Sequence, residues 1–576
     1  RPLPKRPRPT PCITAPARPR TRRTPMPSGD VLSSRLAPVW VLILALLSFS
    51  LGLAELPVQD RDEARYAQAS RQMAETGDWV DIRFQDAPRH VKPVGVYWMQ
   101  AAVLELTGWT GTSEVWVHRI PSYLAGALSA LALIWAGLPL VGRRAAVLAG
   151  VMLATVYMLS AEARTAKTDA TLLLTIILAM GAMARAWLGQ ARGWGVPAVF
   201  WTAIAAGILV KGPLILLPVM TVAAWVSVRD RSLSWLGALR PLPGLAWMLA
   251  LTLPWFIAIM IRTEGAFLTA SIGGDLAEKI AATGEHSGIP PGFYLLAVWA
   301  TLWPWTLLLP LAVVTGWAMR KAPEGAFLLG WIVPTWLVFE AVSTKLIHYT
   351  LPTYPALLLL AAVPLVRLID GETRFRGLAA HLGAAGFAIG TLVFAVLAIG
   401  MPMAAGPGIS LRATVGGITL TALAVLGAVA FYRGRAMLGT AALAGAGIVM
   451  AWTLTAASLP GAREFWVTPR LAEAMAGQSC LAAPPAFVGH APPSVVFQFG
   501  TDTAFLGWES AMDWLAAAPD RAAWIARDAI PEDMAVPPGQ PDVTEVVGTD
   551  YTNGRPVHLR LFVSPGLAAP DAPCGG

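Results

Sequence analysis

Successive long apolar stretches constrain the fold of this chain more than any other feature. A membrane-spanning helix needs roughly 17 to 25 apolar residues, and about thirteen stretches approach or reach this length. They lie near residues 36–56, 118–140, 144–161, 168–188, 196–210, 213–228, 243–261, 292–317, 325–342, 349–368, 379–400, 413–431 and 438–459. With 55% hydrophobic residues and 24 Trp, they predict an α-helical polytopic membrane protein.

The two ends of the chain differ from this central part. Residues 1–35 are basic, rich in Pro and without apolar periodicity, which predicts a disordered cytoplasmic tail. The basic residues of such a tail contact acidic lipid headgroups or keep the tail on the cytoplasmic side, and they do not indicate nucleic-acid binding. Residues 36–459 form the predicted transmembrane domain, with an outer loop at 58–117. Residues 460–576 predict a small α/β domain outside the cytoplasm.

Within this last domain, alternating short apolar runs predict strands, and two longer amphipathic runs predict helices. The predicted strands are PAFVGH, SVVFQFG, AAWIAR and the run VTEVVGTDYTNGRPVHLRLFV, which turns at Asn553-Gly554. The predicted helices are 469–477 and 509–517. Cys12, Cys480 and Cys574 are too few for a disulfide scaffold and lack metal-site spacing. Cys480 and Cys574 either form a disulfide or are two unpaired thiols.

The loops between the apolar stretches alternate in charge. Every second loop is short and basic, as the positive-inside rule requires of cytoplasmic loops. These loops contain Arg143, Arg144, Arg192, Arg229, Arg231, Arg240, Arg320, Lys321, Arg367, Arg374, Arg376, Arg433 and Arg435. The Asp, Glu, His and Lys residues gather in the other loops. We therefore expect the chemistry of the protein on the outer face of the membrane.

The first outer loop, around residues 59–100, is the most charged part of the membrane domain. Within it, residues 63–76 fit a helix that lies along the membrane interface. Asp62 precedes this helix, and the sequence leaves two interpretations open. Either Asp62 caps the helix, with Glu63 and Arg65 solvated, or Asp62 faces an aqueous cavity as an acid, base or acceptor-binding carboxylate.

Several motifs, in one order along the chain, carry a family resemblance. They are DEARYAQASRQMAETGDWV, RFQDAPRHVKPVGVYWMQA, ARTAKTDATLLL, LVKGPLILLP, GEHSGIPPGFYLLAVWATLWPW and STKLIHYTLPTYPALLLL. In this order they resemble the GT-C type, lipid-linked-sugar glycosyltransferases related to aminoarabinose transferase and, more distantly, protein O-mannosyltransferases. The resemblance covers about residues 36–360.

This resemblance implies a multi-spanning enzyme whose first outer loop holds an essential Asp, which matches Asp62. It also implies a polyprenyl-phosphate sugar donor and a lipid A-like or other cell-envelope acceptor, with transfer on the periplasmic face of a bacterial inner membrane. The family's motif positions also match Arg65, Lys92, Asp169, Lys345 and Tyr349. Relatives typically have a metal-linked Glu directly before the Lys of the second motif, and this chain has Val91 there. We therefore predict no metal site, although His286 is present and His90 is an alternative to the missing Glu, and we leave cofactors open.

The chemistry of such a transfer calls for both signs of charge. Cleavage at a polyprenyl phosphate develops negative charge on the departing phosphate and positive charge on the sugar. We therefore predict that the outward cations Arg65, Lys92, Lys211 and Lys345 bind the donor phosphate and that Asp62 is a catalytic carboxylate. The resemblance implies Asp169 as a second catalytic carboxylate and Tyr349 as a further phosphate ligand.

For several of these residues the sequence leaves a structural alternative. Asp169 could instead pair with Arg164 or Lys167, and Lys211 could be a simple loop residue between two short helices. Lys345, His348 and Tyr349 would share one face if a helix began there, although we interpret His348, like His286, as a polar loop residue rather than a ligand. The rival functions are a transporter or lipid flippase, which would need charges deep inside its spans, and a protein-modifying enzyme of the same fold. Nothing in the sequence demands more than a monomer.

Overall fold

The computed structural model describes residues 31–271, 288–476, 484–531 and 544–564. The predictions made for the basic tail up to residue 30, for the three cysteines and for His286 fall outside these ranges. Helices dominate the membrane domain, as the apolar stretches predict, because an apolar segment must satisfy its backbone hydrogen bonds internally. Their bounds are Ala37–Ser50, Asp62–Thr76, Gly95–Thr107, Val115–Leu153, Tyr157–Glu162, Asp169–Trp187, Gly195–Lys211, Leu216–Asp230, Pro241–Arg262, Phe293–Thr301, Leu309–Met319, Pro323–Ala341, Tyr354–Ile369, Leu378–Ala405, Leu411–Tyr432 and Ala436–Trp452.

Nine helical runs in the described ranges are long and apolar enough to cross a membrane, and Ala37–Ser50 and Trp305–Met319 are shorter apolar helices. Two of the nine runs are interrupted at glycines. The run Val115–Leu153 breaks at Gly142, where φ is 76°, and the run Gly195–Asp230 breaks at Gly212, where φ is 66°. Both breaks fall between predicted spans. The helical membrane fold is confirmed, and the count of thirteen spans stays a prediction.

Small residues bring the central helices into close contact. The helix that contains Gly137 and Gly150 packs against the helices Ala37–Ser50, Asp169–Trp187 and Tyr354–Ile369. At Gly181, an added Cβ would stand 2.5 Å from the Trp135 ring and 2.8 Å from the Ala136 side chain. Close approach of this kind is how membrane helices gain packing energy, since lipid tails are as apolar as the side chains.

The outer loop carries a two-stranded hairpin, β1 (Arg83–Phe84) and β2 (Ala87–Pro88). The C-terminal domain holds a sheet of four strands, β3 (Ala486–Val488), β4 (Ala522–Ala526), β5 (Glu545–Asp550) and β6 (Arg555–Val563). Their order in the sheet is β3-β4-β6-β5. β3 pairs parallel to β4, and the other pairs are antiparallel. The predicted α/β domain is present, with helices Val467–Ala476 and Trp508–Ala516 near the predicted positions.

One predicted strand is wrong, because SVVFQFG forms part of the helix Pro493–Phe499. Pro493 stands at the first helical position, where its fixed φ favours a helix start. Short apolar runs do not distinguish strand from buried helix by periodicity. Phe497 is fully buried, and its carbonyl accepts a hydrogen bond from Arg71 at 3.0 Å. The helix thus packs against the outer loop rather than adding a strand to the sheet.

Candidate active site

The predicted interfacial helix is observed as Asp62–Thr76, and its first two residues have opposite environments. Asp62 is exposed, whereas Glu63 is only 1% exposed. No side chain caps this helix, and its N-cap position is Arg61. The interpretation of Asp62 as the capping residue is therefore wrong, and so is the expectation that Glu63 is solvated. Asp62 presents its carboxylate to solvent at the end of the membrane domain that contacts the C-terminal domain, which is the end predicted to face outward.

The turn before Asp62 has a strained backbone and is fixed by hydrogen bonds to the C-terminal domain. Arg61 has φ of 69° and ψ of −105°, a conformation that costs a non-glycine residue of order 1–3 kcal/mol. The preceding residue, Asp60, accepts a hydrogen bond from the Ser494 backbone N–H at 3.0 Å. Its own N–H donates to the Tyr551 hydroxyl at 2.6 Å. The C-terminal domain thus fixes the turn that presents Asp62.

Glu63 forms a buried ion pair with Arg119 that ties three segments together. Both Glu63 carboxylate oxygens lie 2.9 Å from guanidinium nitrogens of Arg119. Arg119 is fully buried and also donates to the carbonyls of Leu53 and Leu56, each at 2.7 Å. Glu63 accepts a further hydrogen bond from the Ala166 N–H at 2.7 Å. This last contact positions the segment that carries Lys167 beside the residue next to Asp62.

Five further side chains converge on this segment and, with Asp62, form what we call the outer cluster: Asp62, Glu162, Lys167, Asp169, Lys211 and His348. The Lys211 ammonium lies 2.6 Å from Asp169 Oδ1, and the Lys167 ammonium lies 3.3 Å from Glu162. The His348 ring lies 3.6 Å from Asp169 and 3.7 Å from Glu162. Residues that are distant in sequence thus meet at the outer ends of several helices.

Electrostatics link Asp62 to the rest of the outer cluster. Burial alone would lower the pKa of the Lys167 ammonium, but Glu162, Asp169 and Asp62 outweigh burial and hold that pKa above its ordinary value. Burial lowers the pKa of His348, although Asp169 and Glu162 act in the opposite direction. His348 is therefore a neutral imidazole at neutral pH. Lys167 remains charged and faces three carboxylates.

Two tyrosines, Tyr66 and Tyr97, and the cation Arg89 contact one another near Asp62. The rings of Tyr66 and Tyr97 are 5.3 Å apart. The Arg89 guanidinium lies 5.1 Å above the Tyr66 ring, and its Nε donates to the Tyr97 hydroxyl at 3.2 Å. Burial raises the pKa of Tyr66, and the charges of Asp62 and Asp169 act in the same direction. Tyr66 therefore stands within electrostatic reach of both predicted catalytic carboxylates.

The predicted phosphate ligands occupy different positions. Arg65 is exposed on the same helix as Asp62. Lys92 is half-buried in the loop before Gly95–Thr107, and this loop lies against the turn that follows Lys211. There, an added Cβ at Gly95 would stand 2.8 Å from the Leu209 carbonyl, and one at Gly212 would stand 4.0 Å from the Pro93 ring. The structure thus brings the Lys92 and Lys211 loops together.

The segment around Lys345 differs from the expectation. Residues 343–350 do not form a helix, so Lys345, His348 and Tyr349 do not share a helical face. The Lys345 side chain is 3% exposed, and its ammonium donates to the carbonyls of Glu340 at 3.0 Å and Val342 at 2.5 Å. The Tyr349 ring packs against Phe339 at 5.8 Å and against His348 at 5.2 Å. The roles of Lys345 and Tyr349 as phosphate ligands stay predictions.

The structure bears on the alternatives for Asp169 and Lys211. Lys167 forms its ion pair with Glu162 at 3.3 Å, and its charge also acts on Asp169. Arg164 does not pair with Asp169, because it is fully buried and donates to backbone carbonyls of Leu51 and Ser160, each at 2.7 Å. Lys211 is more than a loop residue, because it is the closest cation to Asp169. Their catalytic and phosphate-binding roles stay predictions.

His90 and His286 are the histidines considered above as metal ligands. Within the described ranges, no group of three His, Cys, Asp or Glu residues could hold a metal ion, and His286 lies outside those ranges. His90 is buried, and its Nε2 is 2.8 Å from Asp81 Oδ1. Its ring meets Phe267 edge-on at 5.7 Å. His90 thus has a packing role here.

Sequence reasoning missed four residues of this region as site residues, and one of them is Glu162, which was not singled out. Lys167 was considered only as a partner for Asp169, His348 was considered a loop residue, and Arg89 was not singled out. Their closeness to predicted site residues could have identified them. Lys167 lies two residues before Asp169, His348 lies one before Tyr349, and Arg89 lies three before Lys92. Polar residues adjacent to a motif position at the same helix end share its surroundings.

The sequence is similar to those of known proteins. Residues 91–257 match the family model described as dolichyl-phosphate-mannose-protein mannosyltransferase. The chain is 32% identical over 428 residues to the undecaprenyl phosphate-alpha-4-amino-4-deoxy-L-arabinose arabinosyl transferase of Aeromonas salmonicida, covering 72% of this chain and 74% of the relative. The enzyme with the same name from Edwardsiella ictaluri is 32% identical over 388 residues, covering 65% of this chain and 68% of the relative.

Solved structures share the fold. The crystal structure of ArnT from Cupriavidus metallidurans bound to undecaprenyl phosphate superposes with a TM-score of 0.73 at 19% sequence identity. The alignment covers 94% of this chain and all of that chain. The apo structure of the same protein gives a TM-score of 0.68. At this identity the likeness establishes a common fold across the membrane domain and the C-terminal domain.

Proposed function

The chain belongs to the family of membrane glycosyltransferases that includes the undecaprenyl phosphate-alpha-4-amino-4-deoxy-L-arabinose arabinosyl transferases, and from this premise we propose how it acts. It is a multi-pass inner-membrane glycosyltransferase that uses a polyprenyl-phosphate sugar donor. We propose that it moves an amino-pentose of this kind to a lipid A-like acceptor, and that transfer takes place at the outer cluster on the periplasmic face.

The observation that carries this proposal is the cation Lys167 among three carboxylates, which are Glu162, Asp169 and the exposed Asp62. Taking charges out of water is costly, and buried charge clusters with perturbed pKa values concentrate at functional sites. A sugar with oxocarbenium character is stabilised by nearby carboxylates, and the departing phosphate is stabilised by cations. The outer cluster offers both signs of charge within a few ångströms.

In the proposed reaction, the bond between C1 of the sugar and the phosphate oxygen breaks. The polyprenyl phosphate departs with the bonding electron pair, and an acceptor oxygen forms the new bond to C1. Arg65 and the adjacent loops of Lys92 and Lys211 supply positive charge for the phosphate. Lys211 is held by Asp169 at 2.6 Å, so Asp169 positions this cation.

Asp62 has one of two tasks, set by the acceptor. If the acceptor is a hydroxyl, Asp62 accepts its proton as the new bond forms. If the acceptor is an ionised phosphate, no proton is transferred, and Asp62 stabilises the positive charge on the sugar instead. Both tasks require an accessible, ionised carboxylate, and the exposure of Asp62 supports this.

A protein acceptor is the second candidate, because residues 91–257 match the protein mannosyltransferase family. A transporter is less consistent with the structure, because the members of the outer cluster lie at the ends of helices or in loops rather than in the middle of spans.

The proposal is tested with purified protein in liposomes that contain polyprenyl phosphate carrying a radiolabelled amino-pentose. Three acceptors are compared: a lipid A-like lipid, an unfolded periplasmic protein and no acceptor. We expect release of polyprenyl phosphate and label in the lipid A-like product. Label in protein would replace the lipid acceptor by a protein acceptor. Movement of intact donor across the bilayer without cleavage would refute a transferase.

A further inference from the structure

A polar groove lies between the first outer loop and the C-terminal domain. It consists of two cavities of about 390 and 750 Å³. The cavities share Gly489, His490, Asp550 and Asn553, so they are continuous. The smaller cavity is also lined by Arg61 and Arg65, which flank Asp62 in sequence. One end of the groove therefore opens beside the outer cluster.

Guanidinium groups stand at both ends of this groove. Arg61 and Arg65 line the end near Asp62, and Arg527 and Arg555 line the far end in the C-terminal domain. Arg65 stands at the junction, because the charges of both Asp62 and Arg89 act on its guanidinium. Arginine is the side chain best suited to planar, two-point recognition of phosphate.

Two of the carboxylates that line the groove are engaged by the protein itself. Asp550 accepts hydrogen bonds from the Thr552 N–H at 2.8 Å, from the Thr552 hydroxyl at 2.6 Å and from the Asn553 amide at 2.8 Å. Asp60 accepts one from the Ser494 N–H at 3.0 Å, and burial raises its pKa. The third carboxylate, Asp528, is exposed at the far end. The four guanidinium groups outnumber the three carboxylates of the lining, so the groove keeps a positive excess.

His490 supplies a polar group of another kind. Its Nε2 is buried and has no hydrogen-bond partner among the described residues. Burial lowers the pKa of His490 to about 4, although Asp550 and Asp528 act in the opposite direction. The imidazole is therefore neutral at neutral pH and suited to a hydroxyl group. A buried polar atom without a partner is costly, and a ligand hydroxyl would remove that cost.

We propose that this groove binds the headgroup of the acceptor, a phosphorylated saccharide, with its phosphates on the arginines and a hydroxyl on His490. This inference rests on the proposed transferase function and specifies the acceptor side of the same site. A saccharide seated there would extend from the C-terminal domain toward Asp62, where the sugar is transferred. The C-terminal domain would then select the acceptor while the membrane domain binds the donor.

The test uses the full-length protein and a soluble probe, a glucosamine disaccharide with a phosphate at each end. Its binding is measured by calorimetry without donor, so it does not depend on turnover. Arg527→Gln combined with Arg555→Gln removes the far-end cations, both of which are exposed. Arg560→Gln is the matched control, since Arg560 lies in the same domain, contacts Glu545 at 3.5 Å and is not among the groove residues.

We expect the double variant to weaken probe binding about tenfold, as loss of charged hydrogen bonds does, and to raise the KM for a lipid A-like acceptor similarly. Donor affinity and the control variant should be unchanged. His490→Ala should weaken the probe but not inorganic phosphate. Unchanged binding and KM in the double variant would overturn the inference, and so would equal affinity for the unphosphorylated disaccharide or for phosphate alone. Absence of donor cleavage by the wild type would instead refute the proposed function, because probe binding is measured separately.

Discussion

The two ends of the membrane domain differ in the exposure and the contacts of their charged side chains. At the inner end, Arg144 pairs with Asp370 at 2.6 Å, and their side chains remain 24% and 32% exposed. Arg143 and Arg229 each donate to one backbone carbonyl, that of Ser34 and that of Lys321. At the outer end, the side chains of Glu162, Asp169, Lys211 and His348 are at most 13% exposed and contact one another.

This difference distinguishes charged residues that orient the membrane spans from charged residues that take part in catalysis. A cytoplasmic loop needs only the presence of Arg or Lys to orient the spans, so those cations stay at the surface in contacts of small energy. The side chains of Glu162, Asp169, Lys211 and His348 have been largely removed from water, at a cost that only specific partners offset. Their burial therefore indicates a task beyond orientation.

The largest expected effect is a loss of stability when the buried Glu63–Arg119 ion pair is broken, compared with removal of an inner cation. Arg119→Leu leaves Glu63 charged and buried without its partner, and we expect a loss of about 3–5 kcal/mol in unfolding free energy. Thermal melting of the purified protein in detergent measures it. Arg143→Gln at the inner end is the control and should change stability by less than about 1 kcal/mol. Equal losses in both variants would remove the distinction between the two ends.

The next effect concerns catalysis rather than stability. Lys167→Met removes the cation that faces Glu162, Asp169 and Asp62, and we expect transfer to fall about 100-fold, in the range of lost electrostatic stabilisation in enzymes. Turnover of the labelled donor at saturating acceptor measures it. Lys321→Met, an exposed lysine at the inner end, should keep wild-type turnover. If Lys167→Met retained more than half of the activity, the outer cluster would not be the site of chemistry.

A pH dependence sharpens the comparison at the outer end. The folded pKa of His348 is lowered by burial, so below about pH 6.5 the unfolded chain binds a proton that the folded protein resists. His348 therefore costs stability as pH falls through this range. We expect the melting temperature of the wild type, relative to His348→Gln, to decline from pH 7.5 to pH 5. A constant difference across this range would mean that His348 titrates normally.

The smallest expected effect is at the inner end. Arg144→Gln and Asp370→Asn, alone or together, remove one partly exposed pair. We expect a change in unfolding free energy of about 0–1 kcal/mol and unchanged transfer. A double-mutant cycle by thermal melting measures the coupling. A coupling above about 2 kcal/mol would show that the inner end also depends on specific pairs.

The sequence predicts the helical membrane fold well, because apolar length and the alternation of loop charge follow directly from the bilayer. It also places Asp62, Asp169 and Lys211 on the same side, and the structure brings Asp169 and Lys211 into contact. It does not distinguish Asp62 from Glu63, because the fate of two adjacent carboxylates depends on where Arg119, 56 residues later, meets the helix. Such partners are set by tertiary packing.

Other differences have the same origin. The SVVFQFG run is equally compatible with a strand or a buried helix until its neighbours are known. Lys345 lies near His348 in sequence, but its ammonium is turned toward the carbonyls of Glu340 and Val342. The groove under the C-terminal domain is formed by loops that are over 400 residues apart. No local sequence pattern therefore predicts it.

The most direct test of the central claim is sugar transfer by Asp62→Asn, measured with purified protein, labelled polyprenyl-phosphate amino-pentose and a lipid A-like acceptor. The substitution keeps the size of an exposed side chain and removes only its charge. We expect a normal melting temperature, retained donor binding and loss of transfer by at least about 100-fold. Wild-type transfer by Asp62→Asn would contradict the assignment of catalysis to the outer cluster.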